Sequence, residues 1–309
     1  MSQMIDFTLP SCQPGRTLHA FRCVPEGEVR AVLQLSHGMV EFIDRYKPLA
    51  ENLAARGILV TGNDHLGHGK SVIDGCPGVY FGERDGWRHV VDDMEELRRR
   101  TAQVFPGKPY FLFGHSMGSF LSRTHLILYP GRLTGCVLCG TGHQAAPIIA
   151  GGKLVADMEI RRLGKKAFSA KADSLAFGAY NKRFAPTRTR FDWISANPAN
   201  VDAYMADSMC GGDATLGLFR DMLDGLTIIT KQANMNKMDK HLPVFFIAGD
   251  QDPVGDMGKG VKTACACFRK AGLQDVSCKL YHGLRHEILN EVQNQYVYQD
   301  VLSWLKSHI

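Results

Sequence analysis

Apolar and polar positions alternate with a period of two at the start of the chain. "MIDFTLPS" and "TLHAFRCVP" therefore read as strands, with Pro14 and Gly15 between them as a turn signal. "EVRAVLQLSHG" reads as a third strand, nearly continuous in apolar residues at its centre, ending at His37 and Gly38. The pattern then switches. "YKPLAENLAARG" has helical spacing with Gly57 as its expected C-cap, and "ILVTGND" is the next strand. "WRHVVDDMEELRRRTAQVF" is an amphipathic helix stopped by Pro106 and Gly107. "PYFLFGHSMG" is a strand running into a glycine-rich turn, "SFLSRTHLILYP" a helix and "LTGCVLCGTG" a strand. Strands that are apolar throughout and alternate with helices predict an α/β fold. Its sheet is doubly wound and mostly parallel, with helices on both faces.

The rhythm breaks from about Ala145 to Asn236. "APIIAGGKLVADMEIRRLGKKAF", "FDWISANPANVDAYMADSM" and "TLGLFRDMLDGLTIITKQANM" read as helices with no strand between them. The α/β pattern resumes with the strand "LPVFFIAGDQDPVG", the helix "GKGVKTACACFRKAG", the strand "VSCKLYHG" and a last helix near "EVQNQYVYQDVLSWLKSH". The expected organisation is a core of residues 1–144 and 237–309 and a helical cap of residues 145–236. No internal repeat or low-complexity tract interrupts it.

Composition narrows the class. The chain has 309 residues, 45% hydrophobic and 22% charged, and a net charge of +5. It has no run of five or six like charges, so a nucleic-acid partner is not expected. The clusters "ELRRR" and "RRLGKK" read as solvated helix faces. No apolar run is long enough to span a bilayer, and "MSQMIDFTLPSCQPG" lacks the basic start and apolar stretch of a signal peptide. Nine cysteines, mostly in apolar contexts, read as reduced and largely buried thiols of a cytoplasmic protein. Cys265 and Cys267 have no matching Cys/His pair nearby, so no metal is expected. The sequence leaves the oligomeric state open.

The chemistry centres on Gly114-His115-Ser116-Met117-Gly118. A G-x-S-x-G between an apolar strand and a helix places its serine on a sharp turn, exposed at the top of a sheet. A serine nucleophile needs a base and an acid that orients the base, in the chain order Ser, acid, His. Among the later histidines, His286 lies in the loop after the last core strand, where it can swing over the sheet edge. His282 reads as a strand-end side chain, and His125 as a surface or packing residue of the following helix. Acids follow the strand "PVFFIA" at Asp250, Asp252 and Asp256. Strand-end position and chain order require one of the three without choosing it.

Together "SHGMVEFIDRY", "NDHLGHGKS", "GHSMGS", "GDQDPV" and "GLRHE" resemble the monoacylglycerol lipase and lysophospholipase branch of the α/β-hydrolase superfamily. The resemblance covers most of the chain on both sides of the cap. It implies an α/β-hydrolase fold and a Ser116–Asp252–His286 triad, since the family's acid is the fourth residue of G-x-x-D. Asp250 is then expected to cap its turn and Asp256 to stand near the next helix N-terminus. The resemblance also implies an oxyanion hole from the backbone amides of Met39 and Met117, and no cofactor. It makes residues 64–71 a structural loop despite their aspartate and two histidines. Phe42 stands where the family often has a histidine, which makes that loop more apolar. The implied reaction is acyl transfer to water from an ester with an apolar acyl chain, such as a monoacylglycerol or lysophospholipid. Short-chain or aryl ester hydrolysis, peptidase or acyltransferase chemistry, and a non-catalytic ligand-binding module are the alternatives. The cap is expected to contribute apolar side chains from its early half and aromatics from Phe177, Tyr180, Phe184, Phe191, Trp193, Tyr204 and Phe219. Most would pack it onto the core and some would line an acyl pocket. The apolar stretch followed by "RRLGKK" is a candidate for transient contact with a membrane surface.

Overall fold

The computed structural model describes every residue except Met1, Asp74 and Pro77. Its strands are β1 (Gln3–Pro10), β2 (Thr17–Val24), β3 (Ala31–Ser36), β4 (Ile58–Asn63), β5 (Tyr110–His115), β6 (Gly135–Cys139), β7 (Val244–Gly249) and β8 (Val276–Tyr281). They form one sheet in the order β1-β2-β4-β3-β5-β6-β7-β8. Strands β4 to β8 of that order pair in parallel, while β1 and β2 pair antiparallel with each other and β2 antiparallel with β4. The helices are α1 (Lys47–Ala54), α2 (Gly86–Val104), α3 (Met117–Leu128), α4 (Ala146–Leu163), α5 (Ala170–Phe177), α6 (Pro198–Ala206), α7 (Leu216–Thr230), α8 (Gln232–Met235), α9 (Lys259–Lys270) and α10 (Asn294–Lys306).

The period of two along each strand divides the core between the two faces. Leu112, Cys136, Leu138, Val244 and Phe246 pack into one cluster with residues of α2, α3, α7 and α9. Their sequence neighbours Phe111, Phe113, Val137, Phe245 and Ile247 pack into another with α1 and α10. Strands β3 to β7 are buried along their whole length. This is why they read as continuous apolar runs. The edge strand β8 departs from that pattern, with Cys278 and Lys279 exposed.

Several elements differ from the sequence expectation. Helix α1 closes at Ala54, with Ala55 as its C-cap; Gly57, at φ +84°, turns the chain into β4 three residues later. "FDWISANPANVDAYMADSM" is not one helix. Asn197 accepts from the Ala199 N–H and Pro198 opens α6, so only one short 3-10 turn, Asp192–Ile194, precedes it. A proline restricts the residue before it to extended backbone, which forces this break. Helix α4 ends at Leu163 with Gly164 at φ +89°, and α5 begins afresh behind a Ser169 cap. All nine cysteines are free, and five are buried.

One acid in this framework has no hydrogen bond among the described residues. Asp221 of α7 is pushed up to about 7, first by burial and then by Asp224, against Lys165 and Arg220. Its folded value lies above the unfolded one, so the cost to stability starts near the unfolded value and is complete above about pH 7. Asp221→Asn is expected to raise Tm by about 2–4 °C at about pH 8, in line with recovering ~1 kcal/mol. At about pH 4, where the folded carboxyl is protonated and the unfolded one is about half ionised, most of the gain should be lost. Thermal melts at the two pH values decide it; equal shifts would contradict the assignment.

Candidate active site

Ser116 sits between β5 and α3 with φ +52° and ψ −121°. A side chain in this region is strained and survives only where its surroundings fix it. Two glycines make the turn sterically feasible. A Cβ on Gly118 would lie 2.0 Å from the Ser36 carbonyl oxygen of β3, and one on Gly114 would lie 2.4 Å from the Gly118 carbonyl oxygen. The turn is closed by the Ser116 N–H donating to Cys139 O at 3.0 Å and the Ser119 N–H donating to Ser116 O at 2.8 Å.

His286 follows β8, and Asp252 follows β7. Their loops meet at Gly249, where a Cβ would lie 2.1 Å from Leu284 O, and the Gln251 N–H donates to that same oxygen at 3.0 Å. His286 Nδ1 lies 2.9 Å from Asp252 Oδ2. The other Asp252 oxygen accepts from the Val254 N–H at 2.9 Å, and the residue is fully buried. Asp252 thus forms the local turn that the sequence reading gave to Asp250. Asp250 instead accepts from the Gly283 N–H and faces His282 Nδ1 at 2.8 Å; the His282 side chain is exposed. Asp256, at φ +47°, stands three residues before α9.

Ser116 and His286 line one cavity of about 340 Å³, together with Met39 and Met117. No hydrogen bond joins the Ser116 hydroxyl to His286 among the described residues. In ligand-free hydrolases that bond is often long and tightens with substrate. His286 Nε2 has no partner there, and the imidazole lies 5.2 Å from the Trp193 ring. The amides of Met39 and Met117 likewise make no hydrogen bond among the described residues. The wall is largely apolar: Phe120 and Val254 come from the core, and Phe177, Phe191, Trp193 and Leu226 from the connection between β6 and β7. Tyr180 and Tyr204 line it too, whereas Phe219 is buried in the main core and Phe184 lies under the Arg285 guanidinium. No residue of α4 lines the cavity. Ile149 is buried, but Ile148, Leu154 and Met158 are 63%, 63% and 52% exposed.

Sequence reasoning missed a cluster of buried charges beside this site. Glu41 accepts from the Gly38 N–H, from Tyr46 Oη at 2.7 Å and from Arg45 Nη1 at 2.7 Å. Arg45 forms a second, two-pronged pair with Glu287, at 2.6 and 2.8 Å, and Asn200 of α6 donates to Glu287 at 2.7 Å. His115 Nδ1 lies 3.1 Å from Glu41 Oε1. Burial opposes ionisation of both glutamates. The His115 imidazole and Arg45 nevertheless hold Glu41 well below the usual carboxylate range, and Arg45 holds Glu287 below it. The i, i+4 spacing of Glu41 and Arg45 was the only local signal; nothing local pointed to Glu287.

The other candidates have structural roles. His125 is buried against Glu95 at 2.9 Å. In the loop of residues 64–71, Asp64 accepts from the Ile43 and Lys70 N–H groups, and His65 and His68 are buried. Among the described residues, Asp6, His19 and Asp44 can bring three ligand atoms within 4.8 Å of one another. Lys47 and Lys70 already occupy Asp44, at 3.2 and 2.9 Å, which disfavours a cation.

The sequence model of the Hydrolase_4 family, described as serine aminopeptidase, S33, matches residues 27–293, and the chain belongs to this family. It is 29% identical to a monoacylglycerol lipase of Mycolicibacterium smegmatis over 92% of this chain and 91% of that one. Against a human monoglyceride lipase the identity is 26%, over 91% and 84% of the two chains. A carboxyl esterase from Bacillus coagulans, solved in complex with glycerol, superposes with a TM-score of 0.91 at 26% identity, covering 99% of both chains. The chain is a hydrolase of the lipase and esterase kind, and no helix among its described residues is long and apolar enough to cross a membrane.

Proposed function

We propose that this chain hydrolyses acyl-chain monoesters, of the monoacylglycerol or lysophospholipid class, through a covalent intermediate on Ser116. The observation that carries this reading is the buried Asp252–His286 pair facing the same apolar cavity as a serine on a strained turn. In this mechanism His286 Nε2 takes the Ser116 proton as the oxygen attacks the ester carbonyl. The negative charge develops on the carbonyl oxygen, and the free Met39 and Met117 amides receive it. Collapse of the tetrahedral intermediate breaks the ester bond, and His286 gives its proton to the departing alcohol. Water, deprotonated by the same imidazole, then releases the acid and restores Ser116. Residues 145–236 act as a cap over the core of residues 1–144 and 237–309, and supply the aromatic wall of the acyl pocket. A peptide substrate is less well supported, because Glu41 and Glu287 at the cavity are both committed to Arg45 and are not free to bind an ammonium group.

A fluorophosphonate probe should label Ser116 stoichiometrically, with labelling abolished in Ser116→Ala. Absence of an adduct would favour the non-catalytic binding module. On p-nitrophenyl esters, kcat/KM should climb from acetyl to octanoyl by up to about fourfold per methylene buried. A preference for acetyl would point to the short-chain esterase reading.

Asp252→Asn is expected to lower kcat by about 10⁴-fold, because the imidazole loses its orienting charge. Asp250→Asn, which releases only the exposed His282 and the Gly283 amide, should leave kcat within about threefold. The reverse result would move the acid to Asp250 while leaving the serine mechanism in place.

The exposed apolar side of α4 and α5 is read as a contact for an anionic lipid surface. Ile148, Leu154, Met158 and Leu175 stand out from it, and Arg161, Arg162, Lys165, Lys166 and Lys171 are exposed around it. Apolar insertion flanked by cations is the pattern of interfacial binding. Flotation with vesicles of phosphatidylcholine and phosphatidylglycerol should carry the protein. Ile148→Ser/Leu154→Ser/Met158→Ser should weaken binding at least about tenfold. No flotation, or flotation unchanged by the triple substitution, would refute the contact.

A further inference from the structure

His115 occupies the position before Ser116, and its two ring nitrogens face two different oxygens. Nδ1 lies 3.1 Å from Glu41 Oε1, and Nε2 lies 3.3 Å from the backbone carbonyl oxygen of His286. A carbonyl oxygen donates nothing, so Nε2 must carry a proton to make its bond. Glu41 donates nothing either. Its oxygens already accept from the Gly38 N–H, Tyr46 Oη and Arg45 Nη1, and these donors with the Arg45 charge keep the carboxylate ionised, so Glu41 has no proton to give to Nδ1. Nδ1 must therefore also carry a proton. A neutral imidazole can satisfy one of these contacts but would turn a lone pair toward the other oxygen.

Charge balance reaches the same conclusion separately. Glu41 and Glu287 are both nearly fully buried, 3% and 4% exposed, and Arg45 supplies one positive charge between them. A buried net charge is costly. The remaining candidates nearby do not supply the second cation. His37 accepts from the His65 N–H through Nε2 and is held neutral by burial. Tyr46 and Asn200 are neutral donors. His286, whose ring centroid is 4.7 Å from that of His115, is already paired with Asp252.

We propose that His115 is a doubly protonated imidazolium that acts as a positioning residue. Clamped between Glu41 and the His286 carbonyl, it holds the Gly38–Met39 amides and the base loop in register with Ser116. Its position makes this role effective. Glu41 pins the Gly38 N–H, one residue before the Met39 amide. The His286 carbonyl belongs to the residue whose imidazole faces Ser116. One cation thus joins the two loops that must converge on the serine. Burial works against the charge on His115, but Glu41 outweighs it and holds the imidazole above its ordinary range. The stabilising pair is therefore complete below the unfolded histidine value and is lost only as pH rises through the higher folded value.

The positioning role rests on the serine-hydrolase reading given above; the protonation state does not. The first test is ¹⁵N-histidine NMR of the intact enzyme, with the His115 signals assigned by their loss in His115→Gln. Both ring nitrogens should be protonated at neutral pH, and a single protonated nitrogen would overturn the inference. The second test is kinetic. His115→Gln should lower kcat about 10- to 100-fold with KM changed less than about threefold. The wild type's alkaline decline in kcat should be absent from the variant. Unchanged kcat, or a loss confined to KM, would overturn the positioning role. If His115→Gln does not fold, Glu41→Gln/His115→Gln serves for assignment. Removing both charges, it should fold where His115→Gln does not, and failure of the double variant to fold would count against the pair. Fluorophosphonate labelling of the wild type separates the outcomes: no adduct refutes the hydrolase reading and leaves the NMR result to judge His115.

Discussion

The arrangement of this site depends on one guanidinium. Arg45 lies between Glu41 and Glu287, and each glutamate fixes a different part of the site. Glu41 holds the turn after β3 through the Gly38 N–H, and Glu287 belongs to the loop after β8 that carries His286. Asn200 of α6 joins the same carboxylate, so a residue from the connection between β6 and β7 enters the cluster too. Three segments far apart in sequence thus share one buried ionic centre. Such a centre is not an obvious gain in stability, because desolvation offsets much of the attraction. What it supplies is geometric restriction, since bidentate pairing with arginine tolerates little displacement.

The same residues show where sequence reasoning stops. The strands of the sheet were legible because burial on both faces leaves apolar runs that polar loops cannot imitate. The turn at Ser116 was legible because a close approach between backbones admits only glycine, and Gly114 and Gly118 flank the serine at the required spacing. The pairing of His286 with an acid after β7 followed from chain order, and the family spacing picked out the residue that the structure places against it. Glu41 was visible as a residue but not as a partner of His115, 74 positions away. Contacts of that range are set by tertiary packing, and a single sequence carries no period that encodes them. The swapped turn roles of Asp250 and Asp252 have a similar cause. Both can cap a turn locally, and only the position of the Gly283 amide decides between them.

The connection between β6 and β7 is uneven in how it is held. Its middle is bound to the base loop by polar contacts with little tolerance: Glu291 accepts from the Ala196 and Asn197 N–H groups, Arg285 donates to Asp192 O and Ser195 O, and the Glu287 N–H donates to Ile194 O at 2.7 Å. Trp193, which lies against His286, belongs to this bound middle. Helices α4 and α5 differ. Helix α4 meets α7 through apolar packing and two partly exposed ion pairs, Lys153–Asp224 at 2.7 Å and Arg220–Asp157 at 2.8 Å, and the outward sides of both helices carry the exposed Ile148, Leu154, Met158 and Leu175. Apolar packing has no fixed partner geometry and tolerates sliding, whereas a broken buried hydrogen bond costs the full desolvation of the groups involved. Displacing the middle would therefore shift Trp193 and the loop of His286, while displacing α4 would break apolar packing and partly exposed ion pairs, which are worth little. The uneven contacts along one connection separate the part fixed to the loop of His286 from the part held to α7.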